Sequence, residues 1–204
     1  MRIILNGRGG KVGSVLAPAL EQAGHKLVED AGSAEAMIDF TRPDAVVANV
    51  EAALAAGVPC VVGTSGWEGE HRHVDDVAKG KGLGVFYAPN FALGAALMMR
   101  FAAEASRHLP RAEIVELHHE TKLDAPSGTA KATAAAMQGN PAIHSIRLPG
   151  LHAHQEVLLA GDGQLLTIRH DALSREAYVP GVLLALEKLP ELAPGLTVGL
   201  DSLL

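Results

Sequence analysis

Apolar positions along the first ninety residues recur in two alternating rhythms. Arg2 to Asn6 is a short aliphatic run that stops at a cluster of glycines. Lys11 to Ala23 then places Val12, Val15, Leu16 and Leu20 at close to helical spacing, with Gly24 as a stop. The same alternation continues through short strands predicted over His25–Val28 and Met37–Phe40, a helix over Pro43–Ala56, and a strand over Pro59–Val62. A polar helix over Glu68–Lys79 and a strand over Gly84–Tyr87 complete it. Strands alternating with helices imply a parallel sheet with right-handed crossovers, the doubly wound pattern.

The texture changes after that. An amphipathic helix is predicted over Leu93–Arg107, a strand over Ala112–Leu117, and a helix following Pro126. Extended segments near Ala142–Arg147, His152–Leu159 and Gln164–His170 follow, the last two separated by the turn signal Gly161-Asp-Gly163. The second part therefore reads as an α+β domain built on an open, mostly antiparallel sheet. Val179 to Leu189 returns to helix. The expected division is 1–91 and 92–179, with 180–204 packing back on the first domain.

Composition narrows the function classes. Hydrophobic residues make up 48% and charged residues 20%, enough for a sizeable core, while aromatics at 3% favour close-packed helices on a sheet. The formal charge of −6 without any Lys/Arg-rich run argues against nucleic acid as a partner. An anionic ligand must then be held by local cations and backbone N–H groups. The one cysteine, Cys60, excludes an internal disulfide and lies in the apolar run Val58–Val62, where a buried structural thiol is expected. Met1–Leu5 is too short an apolar stretch for a signal peptide, and no window approaches ~20 apolar residues. The cytoplasm is the expected compartment.

Two segments carry candidate chemistry. Gly7-Arg-Gly-Gly-Lys-Val-Gly13 lies between a predicted strand and helix, where glycines let the backbone approach a dinucleotide pyrophosphate. The spacing is one residue longer than the commonest form, and a purely structural glycine turn is the competing explanation. Arg8 and Lys11 fit either phosphate contact or a solvated surface. An acid ending the second strand, Glu29 or Asp30, would grip an adenine ribose. An acid there favours NADH, whereas Arg8 and Lys11 favour NADPH, so both stay open.

The second segment is Glu116-Leu-His-His-Glu-Thr-Lys-Leu-Asp-Ala-Pro-Ser-Gly-Thr-Ala130. A strand delivers His118 and His119, a turn carries Lys122 and Asp124, and Pro126 with Ser127 opens a helix whose first N–H groups lie near Gly128 and Thr129. A helix start, a hydroxyl, an ammonium and an imidazole suit a ligand with carboxylates that needs a proton. A solvated strand end is the bland alternative. Zinc at Glu116, His118 and His119 is disfavoured, because neighbouring strand residues point to opposite faces, and no metal is expected. Of the remaining histidines, His71 and His73 are expected in solvent on the polar helix, and His152 and His154 share one strand face, which suits substrate contact or, in preference, a subunit interface. Met98 and Met99 read as core, and Trp67 as packing beside the Gly63 loop or shaping a cleft.

His-His-x-x-Lys-x-Asp-Ala-Pro-Ser-Gly-Thr-Ala at 118–130 resembles the signature of the dihydrodipicolinate reductase family. Gly7–Gly13, Ile38-Asp-Phe-Thr-Arg-Pro43, Val62-Gly-Thr-Ser-Gly66 and Ala88-Pro-Asn-Phe-Ala-Leu-Gly94 stand in that family's order. The resemblance extends over essentially the whole chain. It implies an N-terminal Rossmann-like domain plus an α+β substrate-binding domain whose sheets assemble into a homotetramer. It further implies NADPH- or NADH-dependent reduction of a small dicarboxylate cyclic imine on the diaminopimelate route to lysine. Under it, His118 and Lys122 are catalytic, and His119, Gly128 and Thr129 bind substrate carboxylates. Gly7, Arg8, Gly9, Gly10, Lys11 and Val12 cradle the cofactor, with Asp30 at the ribose. Gly63, Thr64, Ser65, Ala88, Pro89, Asn90 and Phe91 line its ribose and nicotinamide side. The stretch from Gly24 to Ile38 is shorter than the family usually has, and Met137–Arg147 is compact. An amino-acid dehydrogenase and a nucleotide-sensing protein are the rival readings.

Overall fold

A computed structural model of the protein describes residues 1–204 and divides them into two compact units, Met1–Phe91 with Tyr178–Leu204, and Ala92–Ala177. The first unit holds β1 (Arg2–Asn6), α1 (Gly13–Gln22), β2 (Lys26–Leu27), β3 (Ala36–Asp39), α2 (Pro43–Ala55), β4 (Cys60–Val62), α3 (His71–Lys81) and β5 (Gly84–Tyr87). Its strands form a parallel sheet ordered β10-β5-β4-β3-β1-β2, where β10 is Gly195–Val198. The central strands β3, β4 and β5 are buried at every position, as expected when helices cover both faces. Met37, Val46, Val50, Leu54, Cys60, Val62, Val74 and Val85 make up one side of the core. Cys60 is fully buried there, and burial raises its thiol pKa, so it is an inert packing residue.

Helix α2 starts on Pro43 with Asp44 in its first turn, both suited to a helix N-terminus. Three expectations need correcting. The strand predicted over His25–Val28 shrinks to two residues at the sheet edge, because Asp30 accepts from the Gly32 N–H and turns the chain away. The polar helix begins with a 3-10 turn at Glu68–Glu70 and becomes α-helical only at His71. The strand β10 was absent from the sequence reading; it follows α6 (Val179–Lys188) and pairs with β5, roughly a hundred residues away.

The second unit holds α4 (Leu93–Ser106), β6 (Arg111–His118), α5 (Gly128–Ala136), β7 (Ala142–Arg147), β8 (Ala153–Gly161) and β9 (Gln164–Ala172). Its sheet runs β7-β6-β8-β9. The β6–β8 and β8–β9 pairs are antiparallel, while β6–β7 is parallel and α5 makes its crossover. The open, mostly antiparallel sheet is thus mixed. Gly163, at φ 72°, makes the tight β8–β9 turn that Asp162-Gly163 announces. Met98, Ala102, Ile114, Ala130, Ala134, Val157 and Leu159 fill the layer between the two helices and one sheet face. The other face carries Glu113, Leu158 and Leu165, the last 66% exposed.

Candidate active site

In the first unit a cleft of about 430 Å³ opens at the C-terminal ends of β1, β3 and β4. It is lined by Gly10, Lys11, Val12, Phe40, Thr41, Pro43, Gly63, Thr64 and Ser65. Crevices outside the carboxyl ends of parallel strands, where strand order reverses, are the usual ligand sites of such sheets. Two of the loop's glycines, Gly7 and Gly13, are sterically required. Gly7 has φ 82°, and a Cβ there would stand 2.2 Å from the Phe40 carbonyl oxygen; one on Gly13 would stand 2.1 Å from the Gly7 oxygen. Helix α1 starts without a side-chain cap and without an acid in its first turn. Such a helix start, facing a glycine turn and Lys11, fits a pyrophosphate.

A buried carboxyl organises this cleft. Asp39, fully buried at the end of β3, accepts from the Thr41 N–H (3.1 Å), the Thr41 and Thr64 hydroxyls (2.7 Å each) and Asn49 Nδ2 (2.7 Å). It ties the loop after β3 to the loop after β4. Behind that second loop the Trp67 indole donates to the Thr64 carbonyl at 2.7 Å. Trp67 therefore backs the cleft from the core. His71, expected in solvent, instead packs its ring on Trp67 and Tyr87, with Nε2 buried and unpartnered; His73 is half exposed and pairs with Glu51 at 2.6 Å.

In the second unit His118 ends β6 with its side chain only 15% exposed. Its Nδ1 lies 2.5 Å from Glu116 Oε2, two residues back on the same strand face. Glu116 is fully buried and gripped by both Arg147 terminal nitrogens, at 2.9 and 2.7 Å, and by the Ser127 N–H at 3.2 Å. Burial opposes ionisation of Glu116, but donors from Arg147, Ser145 and His118 outweigh it and hold its pKa at about 2. Burial also lowers the His118 pKa, as do Lys122 and Arg147, and Glu116 only partly offsets them. Lys122 Nζ donates to Asp124 at 2.7 Å. Helix α5 follows directly, with the Ser127 hydroxyl accepting from the Ala130 N–H. Its first residues are Gly128 and Thr129. Pro126, expected at the opening of this helix, lies before the cap, so Ser127 takes the N-cap position.

Both halves of the chain match family models, the N-terminus of dihydrodipicolinate reductase over residues 25–91 and the C-terminus of dihydrodipicolinate reductase over 94–204. The chain belongs to the dihydrodipicolinate reductase family. Relatives named 4-hydroxy-tetrahydrodipicolinate reductase include one from Desulfitobacterium hafniense (strain DSM 10664 / DCB-2), 48% identical over 84% of this chain and 73% of its own length. Another, from Beutenbergia cavernae, is 42% identical over 100% of this chain and 98% of its own length. That alignment runs over 244 positions, more than the 204 residues of this chain, so the relative carries segments absent here. A dipicolinate-bound dihydrodipicolinate reductase from Paenisporosarcina sp. TG-14 superposes with a TM-score of 0.85 at 30% identity, covering 100% of this chain and 99% of that one.

Against this dihydrodipicolinate reductase framework the residues singled out in the sequence take different positions. Gly10, Lys11, Val12, Gly63, Thr64 and Ser65 line the cleft together. Gly7 and Gly9 shape the turn behind it, and Gly10 N–H closes that turn on the Gly7 carbonyl at 2.8 Å. Arg8 is outside the lining and leans toward Glu21 at 3.7 Å. Asp30 spends its carboxyl on its own turn, and Ala88 and Phe91 are buried, with Phe91 packed between Phe40 and Phe86. His119 is exposed and bonded to Thr121 at 2.7 Å. His152 precedes β8 rather than lying in it, while His154 is in β8 and pairs with Asp171 at 2.6 Å. No group of three His, Cys, Asp or Glu side chains is arranged to hold a metal ion. Sequence reasoning missed Asp39 and Arg147, and weighed Glu116 only as a zinc ligand. Glu116 at two residues from His118 was readable from strand periodicity, but Arg147 reaches it across the β6–β7 register.

Proposed function

We propose that this chain is an NAD(P)H-dependent 4-hydroxy-tetrahydrodipicolinate reductase that makes tetrahydrodipicolinate on the diaminopimelate route to lysine. The observation that carries this reading is the 42–48% identity to relatives of that name. Reduction of the dehydrated cyclic imine needs one hydride and one proton, and a bound nicotinamide supplies the hydride. Gly7, Gly9, Gly10, Lys11 and Val12 receive the pyrophosphate, with Gly63, Thr64, Ser65, Ala88, Pro89, Asn90 and Phe91 toward the ribose and nicotinamide; Arg8 joins them only by leaving Glu21, and Asp30 reaches the ribose only by giving up the Gly32 N–H. NADPH and NADH are both admitted.

His118 delivers the proton from Nε2, since Nδ1 is engaged by Glu116. Burial lowers its pKa and so favours the neutral imidazole in the free protein, while a dianionic substrate beside it favours the charged form. Lys122 exchanges Asp124 for a substrate carboxylate and serves as a second proton source. His119 and the start of α5 at Gly128 and Thr129 hold the carboxylates; the Paenisporosarcina homologue has dipicolinate bound. The sheet face bearing Leu158 and Leu165 forms the contact of a homotetramer. No helix is long and apolar enough to cross a membrane, and the cytoplasm is the proposed compartment.

The test couples the protein to a synthase that generates hydroxy-tetrahydrodipicolinate in place, following NADPH and NADH absorbance separately. Oxidation dependent on the synthase product supports the reading, and the ratio of rates sets the preference. Nucleotide binding without oxidation of either would refute it.

A further inference from the structure

We propose that Glu116 and Arg147 form a positioning pair that fixes the ring orientation and tautomer of His118 and registers the Lys122 loop to it. This deepens the reading of His118 as the proton donor and rests on it.

Every acceptor direction of Glu116 is used. Oε2 meets His118 Nδ1 (2.5 Å) and Arg147 Nη1 (2.9 Å), and Oε1 meets Arg147 Nη2 (2.7 Å) and the Ser127 N–H (3.2 Å). A carboxylate held by His118, Arg147 and the Ser127 N–H, with Ser145 as a further donor, cannot swing, so the imidazole bonded to it is held as well. An ionised carboxylate only accepts, so Nδ1 carries the hydrogen and Nε2 presents its lone pair, or its proton when charged. Arg147 stands opposite His118 in the β6–β7 register. Its Nη2 also donates to the Asp124 carbonyl (2.7 Å), and Asp124 is the residue whose carboxylate receives Lys122. One planar guanidinium thus indexes the histidine's carboxylate and the lysine loop, and through that carboxylate's bond to the Ser127 N–H it also indexes the start of α5.

Stability alone is a poor explanation for this cluster. Buried ion pairs are often matched or bettered by apolar residues of similar volume, and here Arg147 Nε is buried with no partner at all, which adds a cost. The charged groups influencing His118 within its unit are Glu116 on its own strand, Arg147 on β7 and Lys122 on the loop.

The decisive measurement is ¹⁵N NMR of the histidine side chains in the intact protein, with His118 assigned by difference from H118Q. Wild type should show neutral His118 as the Nδ1–H tautomer, and E116Q a shift toward Nε2–H. E116Q should lower kcat about a hundredfold while leaving nucleotide Kd unchanged, and should move the falling limb of the kcat–pH profile to lower pH, because a negative charge beside the imidazole is gone. R147K keeps the charge but loses the fork, and should raise KM for the imine more than it lowers kcat. An Nε2–H tautomer in wild type overturns the proposal without any variant having to fold. A destabilised E116Q whose folded fraction turns over normally, with an unmoved pH limb, overturns it in favour of a purely structural pair. Full turnover by H118Q, with the expected tautomer still present in wild type, refutes the assignment of His118 as the proton donor, and with it any catalytic purpose for the pair.

Discussion

Truncating Asp39 to alanine removes the acceptor that holds two cleft loops together. The Thr41 and Thr64 hydroxyls and Asn49 Nδ2 lose their partner, whereas the Thr41 N–H keeps the Thr64 hydroxyl oxygen at 2.7 Å. At roughly 1 kcal/mol for each orphaned donor the cost is about 3 kcal/mol, which lowers the melting temperature by about 6–12 °C for a chain of this size. Asparagine keeps one acceptor oxygen toward the threonines, and Asn49 can turn its own amide to meet the new one, so D39N should cost only about 1 kcal/mol. Trp67 is the single tryptophan and bonds the Thr64 carbonyl, so urea unfolding followed by its fluorescence reads this unit directly. Thr41 and Thr64 both line the cleft; their release should weaken NAD(P)H binding about tenfold, or about 1.4 kcal/mol. If D39A unfolds within 1 kcal/mol of wild type, or binds nucleotide as tightly, Asp39 does not organise the cleft.

H118Q should reduce kcat by about 10²–10⁴ with nucleotide affinity unchanged, and steady-state kinetics beside fluorescence titration would expose the opposite pattern. His118 sits below its ordinary 6.5, chiefly through burial. Hence kcat/KM, which needs the charged imidazole, should fall as pH rises through a value under 6.5, while kcat falls at higher pH once the dianion is bound; coincident limbs would contradict this. Glu116, held at about 2 against an ordinary 4.5, gives stability that is fully present above pH 4.5 and lost as pH falls toward 2. The amount is up to about 3 kcal/mol, and E116Q should flatten that part of a urea-midpoint series followed by circular dichroism. G7A should lose about 1–3 kcal/mol and bind nucleotide weakly, from positive φ and the clash with Phe40. G9A, with open space at its Cβ, should melt as wild type does.

What the sequence made legible was local. Periodicity located α2 and β5 to within a residue, because Pro43 and the flanking glycines mark their ends. The His118–Thr129 segment was legible because strand end, turn and helix start are consecutive. What escaped depends on register between distant segments. The strand Gly195–Val198 is as long as β5 but lies partly exposed at the sheet edge without a continuous apolar run, and only its pairing with Gly84–Tyr87 makes it a strand. Arg147 joined the site only through its alignment with His118 across β6–β7. Asp39 sits in an apolar strand with nothing nearby to reveal that Thr64 and Asn49 would converge on it.

The remote pairing of β10 with β5 also sets an order of assembly during synthesis. Ala92–Ala177 is an unbroken stretch lying between β5 and α6 in the chain, so the ribosome can release it whole and let it close. The earlier unit must wait for its last strand. At about 5–20 residues per second the hydrogen-bonding edge of β5 stands uncovered for on the order of ten seconds after Tyr87 emerges. An unpaired parallel edge is a docking point for other nascent chains. Slow codons or a premature stop before Gly195 would therefore produce aggregation rather than a partly active enzyme.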